Sequence, residues 1–143
     1  MNNHLHLNNQ VCFPFYAISR NITKRYTPHL KKINLTYPQY LVLLILWEKE
    51  DKCIKEICDL LWLEINTVSP ILNTLEKKWI LFKKKYPENN KQIHILLTEK
   101  WKNLEKEVLD LPTLLLKDVN INHSSLKNLH IELSKIMKIL DNK

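Results

Sequence analysis

Apolar residues recur at steps of three and four along much of this chain, which is the period of one face of an α-helix. The first series consists of Val11, Phe15, Ile18 and Ile22. It predicts an amphipathic helix over residues 10–26, after which Thr27 and Pro28 disturb the helical pattern. A second helix opens at a Thr-x-x-Gln capping box, Thr36 and Gln39, and is apolar on all sides as far as residue 47. We therefore expect the second helix to be buried at the centre of the fold.

Two shorter helices are predicted next, over residues 54–61 and 67–78, with Asn66 as the N-terminal cap of the later one. Their inward-facing residues are expected to be Ile57, Leu60 and Leu61 in the first and Val68, Ile71, Leu72 and Leu75 in the second. Two helices that are joined by a short turn and preceded by a buried helix form a helix-turn-helix.

The period of the pattern then changes to two, which is typical of β-strands. Strands are predicted over residues 80–85 and 91–97, with a polar hairpin loop at residues 86–90. Helices beginning at Thr98 and Ser124 complete the chain, and they carry more apolar surface than so small a domain can cover. We therefore expect the protein to dimerise.

The predicted fold class is mainly α with a small β-wing: a winged helix-turn-helix of six helices and a two- to three-stranded hairpin. No repeat or change of composition marks a second domain, so residues 1–143 are interpreted as one domain. Residues 1–34 and 98–143 are expected to form the dimerisation helices, and residues 35–97 the winged-helix lobe.

The composition favours an anionic partner. The 143 residues carry a net charge of +7 and an isoelectric point near 9.3, which favour nucleic acid ahead of a membrane surface. The longest apolar run, residues 40–47, is far shorter than the roughly 20 residues of a membrane span. Three cysteines without a signal-peptide pattern indicate free thiols in a reducing cytoplasm. The chain has no glycine, so its turns must use Asn, Asp, Pro or Ser, or tolerate strain at positive φ.

Cys12 is the candidate reactive group. It falls in or beside the first turn of the first helix, where the helix dipole favours a thiolate, and Tyr16 lies four residues further on the same face. The structural alternative is that Cys12 is a small buried hydrophobe, which is the usual place of a lone cysteine in a cytoplasmic domain.

Three segments carry a family resemblance: VCFPFYAISR at residues 11–20, KRYTPHL at 24–30 and LTYPQYLVLLILWE at 35–48. With the order of the elements, they resemble the organic-hydroperoxide-sensing OhrR branch of the MarR repressors over residues 11–109. The resemblance implies a homodimer whose terminal helices form the interface and whose two lobes bind a pseudo-palindromic DNA operator. It also implies that Cys12 is the peroxide-sensing cysteine and that Tyr16, Tyr26 and Tyr37 surround it, the last two from the other subunit.

The helical spacing agrees with a pocket made by two subunits. Tyr26 lies about four turns beyond Cys12 at a rise of roughly 1.5 Å per residue, which is too far for contact within one chain. A thiolate that attacks an organic hydroperoxide becomes a sulfenic acid, and phenol hydroxyls can stabilise the thiolate and orient the peroxide. We further hypothesise that Phe13 and Phe15 favour organic peroxides over hydrogen peroxide.

The other two cysteines have no predicted role in sensing. Some family members resolve the sulfenic acid with a cysteine near the position of Lys117, and this chain has none there. We therefore expect either a mixed disulfide with a small thiol or overoxidation. Cys58 is expected in the core and Cys53 near an exposed turn. Their separation of five residues lacks the C-x2-C spacing of a zinc site, so we expect neither a metal nor another cofactor.

The residues expected to contact DNA are Asn66, Thr67, Ser69 and Asn73 in the recognition helix and Lys83, Asn89 and Lys91 in the wing. Several positions depart from the family pattern. Asn73 and Thr74 replace a basic pair, Asn89 and Lys91 replace an Asp-x-Arg motif, and Trp79 replaces a glycine. These changes indicate a lower affinity for DNA or a different operator.

The favoured function is a transcriptional repressor that releases DNA when an organic hydroperoxide oxidises Cys12. One alternative is a ligand-responsive MarR regulator in which Cys12 is structural. The other is a thiol peroxidase-like enzyme, which is disfavoured because neither a resolving cysteine nor a nearby basic residue is available to support turnover. We therefore expect the protein not to be an enzyme.

Overall fold

The computed structural model describes residues 3–117 and 122–140 and confirms the predicted fold class. The described part has six helices of eight residues or more: α1 Cys12–Lys32, α2 Tyr37–Glu48, α3 Ile54–Leu61, α4 Ile65–Lys77, α5 Glu99–Val108 and α7 His123–Leu140. A short helix, α6 Leu111–Lys117, precedes the last of them. The strands are β1 Lys52–Cys53, β2 Leu81–Tyr86 and β3 Asn89–Leu97. The chain forms two compact units that divide after Leu109.

Helix α1 is longer than the sequence pattern predicts, because it continues through Pro28 to Lys32. A proline inside a helix removes one backbone hydrogen bond, here the bond to the carbonyl of Lys24. The last turn is held by Leu30, which is completely buried. The predicted end near residue 26 was therefore wrong, because packing of the last turn outweighs the local cost of the proline.

Helix α2 forms the centre of the first unit, as predicted. Tyr40, Val42, Leu43 and Leu46 are each no more than 1% exposed, although Leu44 on the same helix faces solvent. The amide of Thr36 donates a hydrogen bond to Gln39 Oε1 at 3.1 Å, so the capping box fixes the start of the helix.

The helix-turn-helix is present, with two corrections. Leu60 was predicted to face inward but is 54% exposed, and the inward face of α3 consists of Ile57 and Cys58. Helix α4 begins at Ile65 rather than after Asn66. Its N-terminal cap is Glu64, whose extended backbone places its carbonyl 3.1 Å from the amide of Val68.

The wing is an antiparallel sheet with strand order β1-β3-β2. Leu81 lies opposite Leu97 and Lys83 opposite Ile95, while β1 pairs Cys53 with His94. The predicted loop at residues 86–90 was too long, because Tyr86 and Asn89 pair with each other and leave a turn of two residues.

Four of the described residues adopt the left-handed conformation that glycine favours: Asn34, Asp51, Trp62 and Trp79, with φ between 57° and 61°. The asparagine and the aspartate suit such positions, whereas the two tryptophans are strained there. Trp79 ends the recognition helix α4 and is 82% exposed, so its side chain makes little compensating contact.

We expect Trp79→Gly to raise the free energy of unfolding by up to about 1 kcal/mol, because glycine removes the clash of Cβ with the backbone. The substitution keeps the backbone hydrogen bonds of residue 79, whose amide donates to the Glu76 carbonyl and whose carbonyl accepts from Thr98 Oγ1. Urea unfolding compares the variant with Trp79→Ala, which keeps Cβ and should not be stabilised. A glycine variant less stable than the alanine variant would contradict this explanation.

Candidate functional site

The accessible thiol of the chain is at the start of α1. Cys12 is the first residue of that helix and is exposed, whereas Cys53 and Cys58 are 6% and 9% exposed. Cys53 lies near the exposed turn at residues 49–51, as predicted, but it is itself buried, because β1 pairs with β3. Burial raises the pKa of Cys58, with a further contribution from Asp59, so its thiol stays neutral. Only Cys12 therefore combines exposure with a free thiol.

Tyr16 lies beside Cys12 on α1, as the spacing predicts. It is largely exposed, and the Arg20 guanidinium lies 5.4 Å from the centre of its ring. Phe13 and Phe15 are also exposed. A groove of about 580 Å³ against α1 is lined by side chains of this helix between Phe13 and Lys24. All of its lining comes from one helix, so the groove is open to solvent.

Tyr26 and Tyr37 lie together at the other end of α1. Their ring centroids are 4.9 Å apart, and Tyr40 completes the cluster at 5.7 Å from Tyr26 and 6.4 Å from Tyr37. We call these three residues the tyrosine cluster. The sequence prediction missed Tyr40 as a member, although its spacing of three from Tyr37 on one helix is a signal for it.

The hydroxyls of the tyrosine cluster stay protonated at neutral pH. Burial, with smaller contributions from Tyr40 and Tyr37, raises the pKa of Tyr26 to about 12. Burial also raises the pKa of Tyr37 and of Tyr40. A protonated phenol is a hydrogen-bond donor, so the cluster offers donors that can stabilise a thiolate.

A pH dependence of stability follows from the raised pKa of Tyr26. The folded state favours the neutral phenol of Tyr26, so this group makes its full contribution to stability below its unfolded pKa of about 10. The contribution is lost as the pH rises towards the folded pKa of about 12. We expect the free energy of unfolding to fall over that window, and to fall less steeply in Tyr26→Phe. Urea unfolding at pH 9 to 12 measures the difference, and equal slopes in the two proteins would refute the assignment.

The structure brings Tyr26 and Tyr37 together but does not bring them to Cys12 of the same chain. Fourteen residues of continuous helix separate Cys12 from Tyr26, which is about 21 Å along the axis. One chain therefore presents two separate parts: a thiol with Tyr16, and a cluster of protonated tyrosines.

The predicted DNA contacts lie on the recognition helix and the wing. Thr67 and Asn66 are exposed in the first turn of α4, and Ser69 follows, half-buried. Asn73 is exposed in the middle of α4 and accepts a hydrogen bond from Lys83 of β2 at 2.6 Å. In the wing, Asn89 begins β3, and Lys91 is exposed.

The end of α4 is tied to the start of α2. Lys78 Nζ donates to the Asn34 carbonyl at 2.7 Å and to Gln39 Oε1 at 3.2 Å. Gln39 lies between Tyr37 and Tyr40 in sequence. The contact from Lys78 therefore links the end of the recognition helix to the turn of α2 that carries these two tyrosines. No local sequence pattern predicts this contact, because it joins residues 39 positions apart.

A second polar cluster ties the wing to the loop before β1. Asp51 accepts a hydrogen bond from the Tyr86 hydroxyl at 2.9 Å, and its other oxygen lies 2.8 Å from His94 Nδ1. The bond to Asp51 is the main cause that raises the pKa of Tyr86. The Lys84 ammonium lies 4.5 Å from the centre of the Tyr86 ring. These contacts join β2 and β3 to the loop after α2.

Two absences concern the described residues only. Over residues 3–117 and 122–140, no three His, Cys, Asp or Glu side chains are grouped as a metal site would require. Within the same ranges, every helix is too short or too polar to cross a bilayer.

Comparison with known proteins places the whole chain among regulators. The family model for the transcriptional regulator SarA/Rot matches residues 24–108. The organic hydroperoxide resistance transcriptional regulator of Bacillus subtilis strain 168 is 37% identical over 140 residues, which cover 98% of this chain and 95% of that protein. The HTH-type transcriptional regulator SarZ of Staphylococcus epidermidis is 32% identical over 124 residues, covering 87% of this chain and 84% of SarZ.

Solved structures of AbfR from Staphylococcus epidermidis have the same fold. Reduced AbfR bound to DNA is 30% identical with a TM-score of 0.78, and the match covers 99% of this chain and 100% of that one. Overoxidised AbfR, also bound to DNA, is 30% identical with a TM-score of 0.77 and coverages of 94% and 93%.

Proposed function

The chain belongs to the SarA/Rot family of transcriptional regulators and, among MarR-type winged-helix proteins, to the organic-hydroperoxide branch; we propose that it is a homodimeric repressor that releases DNA when Cys12 is oxidised. The observation that carries the proposal is the separation of one exposed thiol at the start of α1 from a cluster of protonated tyrosines, which lies near the other end of α1 and at the start of α2. Its relatives are regulators rather than enzymes, which supports a sensor that reacts once.

The sensing pocket forms between two subunits. Cys12 and Tyr16 of one subunit meet Tyr26 and Tyr37 of the other, and the exposed apolar side chains of α1 become buried in the interface. Helices α1 and α7 each leave large apolar side chains in solvent, among them Ile18, Ile22, Ile131 and Ile139. In this proposal residues 1–34 and 98–143 form the dimer and residues 35–97 the DNA-binding lobe, within one MarR-like domain.

The sensing step is a two-electron oxidation of the thiolate. Cys12 Sγ attacks the terminal oxygen of the hydroperoxide ROOH, a sulfur–oxygen bond forms, and the oxygen–oxygen bond breaks. The peroxide is reduced to the alcohol ROH, whose oxygen receives a proton from a tyrosine hydroxyl or from water, and Cys12 becomes a sulfenic acid. A small thiol then condenses with the sulfenic acid to give a mixed disulfide and water.

We infer that the mixed disulfide, rather than the overoxidised acid, is the form that leaves DNA. Overoxidised AbfR was solved bound to DNA, so overoxidation is compatible with binding in that relative. A mixed disulfide adds more bulk at Cys12 than a sulfinic or sulfonic acid, and so displaces Tyr26 and Tyr37 further.

The displacement reaches the recognition helix through Lys78. Movement of the tyrosine cluster shifts the first turn of α2, which carries Gln39, and Lys78 links Gln39 to the end of α4. Rotation of the two lobes then separates the recognition helices from successive major grooves.

The DNA contacts follow the sequence prediction. In the major groove, base edges or phosphates are contacted by four residues of α4: Asn66, Thr67, Ser69 and Asn73. In the wing, DNA is contacted by Asn89 and Lys91. Lys83, which the sequence also predicts as a DNA contact, pairs with Glu76 and Asn73 of α4, so it acts on DNA through α4 rather than as a free positive charge. A regulator that binds chromosomal DNA and depends on free thiols is expected in the cytoplasm.

The test is a DNA-release measurement. A binding sequence is first selected from random duplexes with reduced protein, and fluorescence anisotropy then follows the complex after one equivalent of cumene hydroperoxide, with and without a small thiol. We expect release with the thiol and a mass increase equal to one bound thiol per released subunit. Failure to select any sequence, or release by hydroperoxide that leaves the protein mass unchanged, would contradict the proposal.

A further inference from the structure

The side chain of Lys83 reaches from the wing to the recognition helix. Its ammonium lies 2.6 Å from Asn73 Oδ1 and 2.8 Å from Glu76 Oε2, two residues that are three apart on one face of α4. The Lys83 side chain is 25% exposed, whereas Asn73 faces solvent. The lysine therefore lies behind the asparagine, on the side of the wing.

The positive charge of Lys83 is paired within the protein. Glu76 forms an ion pair with it, so the two residues together present little net charge to a phosphate. This pairing also neutralises a carboxylate that would repel DNA from the recognition helix. Lys83 thus differs from Lys91, an exposed lysine near the tip of the wing.

The contact also determines which hydrogen-bonding groups of the Asn73 amide are available to DNA. An ammonium group has donors and no acceptor, so the Asn73 atom that faces it is the amide oxygen. The amide nitrogen is then directed away from the lysine, with its two N–H donors available. Both N–H donors of Asn73 are free, whereas one of the two lone pairs of its oxygen is taken by a charged donor, which weakens that oxygen as an acceptor for a base.

This geometry distinguishes between bases. An asparagine that reads adenine uses both amide atoms, because it accepts from N6 and donates to N7. Guanine presents only acceptors at the same edge, N7 and O6, and these suit a group that mainly donates. We propose, resting on the proposed DNA-binding function, that Lys83 and Glu76 make Asn73 mainly a hydrogen-bond donor to DNA, so that it selects guanine over adenine in the operator.

The test measures the dissociation constant for a panel of duplexes in which each base pair of a selected sequence is replaced in turn. For the wild-type protein we expect one guanine whose replacement by adenine weakens binding at least tenfold. In Asn73→Ala that preference disappears. In Lys83→Met the oxygen of Asn73 is released and can accept from adenine, so the penalty falls below about threefold.

Lys85→Met is the matched control, since it removes the same charge from an exposed position on β2. We expect it to weaken binding evenly over the panel, to reduce the salt dependence, and to keep the guanine preference. A guanine preference that is unchanged in Lys83→Met, or an Asn73→Ala loss that is even over all duplexes, overturns the inference while the proposed function stands. If the wild-type protein selects no sequence, the proposed function fails, and the inference fails with it.

Discussion

Cys12→Ser protein is expected to stay on its DNA at hydroperoxide concentrations that release the wild-type protein completely. Serine is close to cysteine in size, but its hydroxyl is neutral at physiological pH and does not reduce a peroxide. Affinity of the unoxidised variant should remain within about threefold of wild type, because Cys12 is exposed and far in sequence from the recognition helix. Gel shift with increasing cumene hydroperoxide measures both quantities.

Cys53→Ser is the control for this substitution. Cys53 is the N-terminal cap of α3, a position where serine is favoured, so the variant should fold. It should release DNA at the same peroxide concentration as the wild-type protein. Release of Cys12→Ser by peroxide would instead support a ligand-responsive regulator in which Cys12 is structural.

The double variant Tyr26→Phe and Tyr37→Phe is expected to react with hydroperoxide about 100-fold more slowly than the wild-type protein. Each lost hydroxyl removes a hydrogen bond to a charged group, which contributes roughly 1.5 kcal/mol or more, and about 1.4 kcal/mol is a factor of ten in rate. The rings remain, so the packing of the cluster at 4.9 Å is preserved. Stopped-flow consumption of peroxide gives the rate.

Tyr86→Phe provides the matched control, because it makes the same chemical change in the wing, where the hydroxyl bonds to Asp51. Its rate of thiol oxidation should equal that of the wild-type protein. A double variant that reacts at the wild-type rate would show that the tyrosine cluster packs the fold without activating Cys12.

Much of the fold could be predicted because local signals and packing agree. The capping box at Thr36 and Gln39 and the apolar run after it define α2, and the change of period to two identifies the wing. Predictions failed where a distant contact outweighs a local preference. Burial of Leu30 carries α1 through Pro28. At α4 the backbone decides instead: the Glu64 carbonyl accepts from the amide of Val68, so the helix starts at Ile65 although Asn66 is the better cap by residue type.

The candidate site was only partly predictable. Helical spacing places Tyr16 beside Cys12 and excludes Tyr26 from the same pocket within one chain. Contacts that depend on how elements pack are absent from any local pattern: Lys78 with Gln39, and Lys83 with Asn73. The second of these also depends on Trp79, whose left-handed backbone directs the chain from α4 into β2.

In the proposed dimer, the tyrosines of one subunit activate the thiol of the other. A heterodimer tests this: Cys12→Ser chains are mixed with chains that carry Tyr26→Phe and Tyr37→Phe, and the mixed dimer is isolated with two affinity tags. Its one remaining Cys12 faces an intact tyrosine cluster only if the pocket is shared between subunits. We predict that this thiol reacts with cumene hydroperoxide at the wild-type rate. A rate equal to that of the slow double-variant homodimer would contradict the shared pocket.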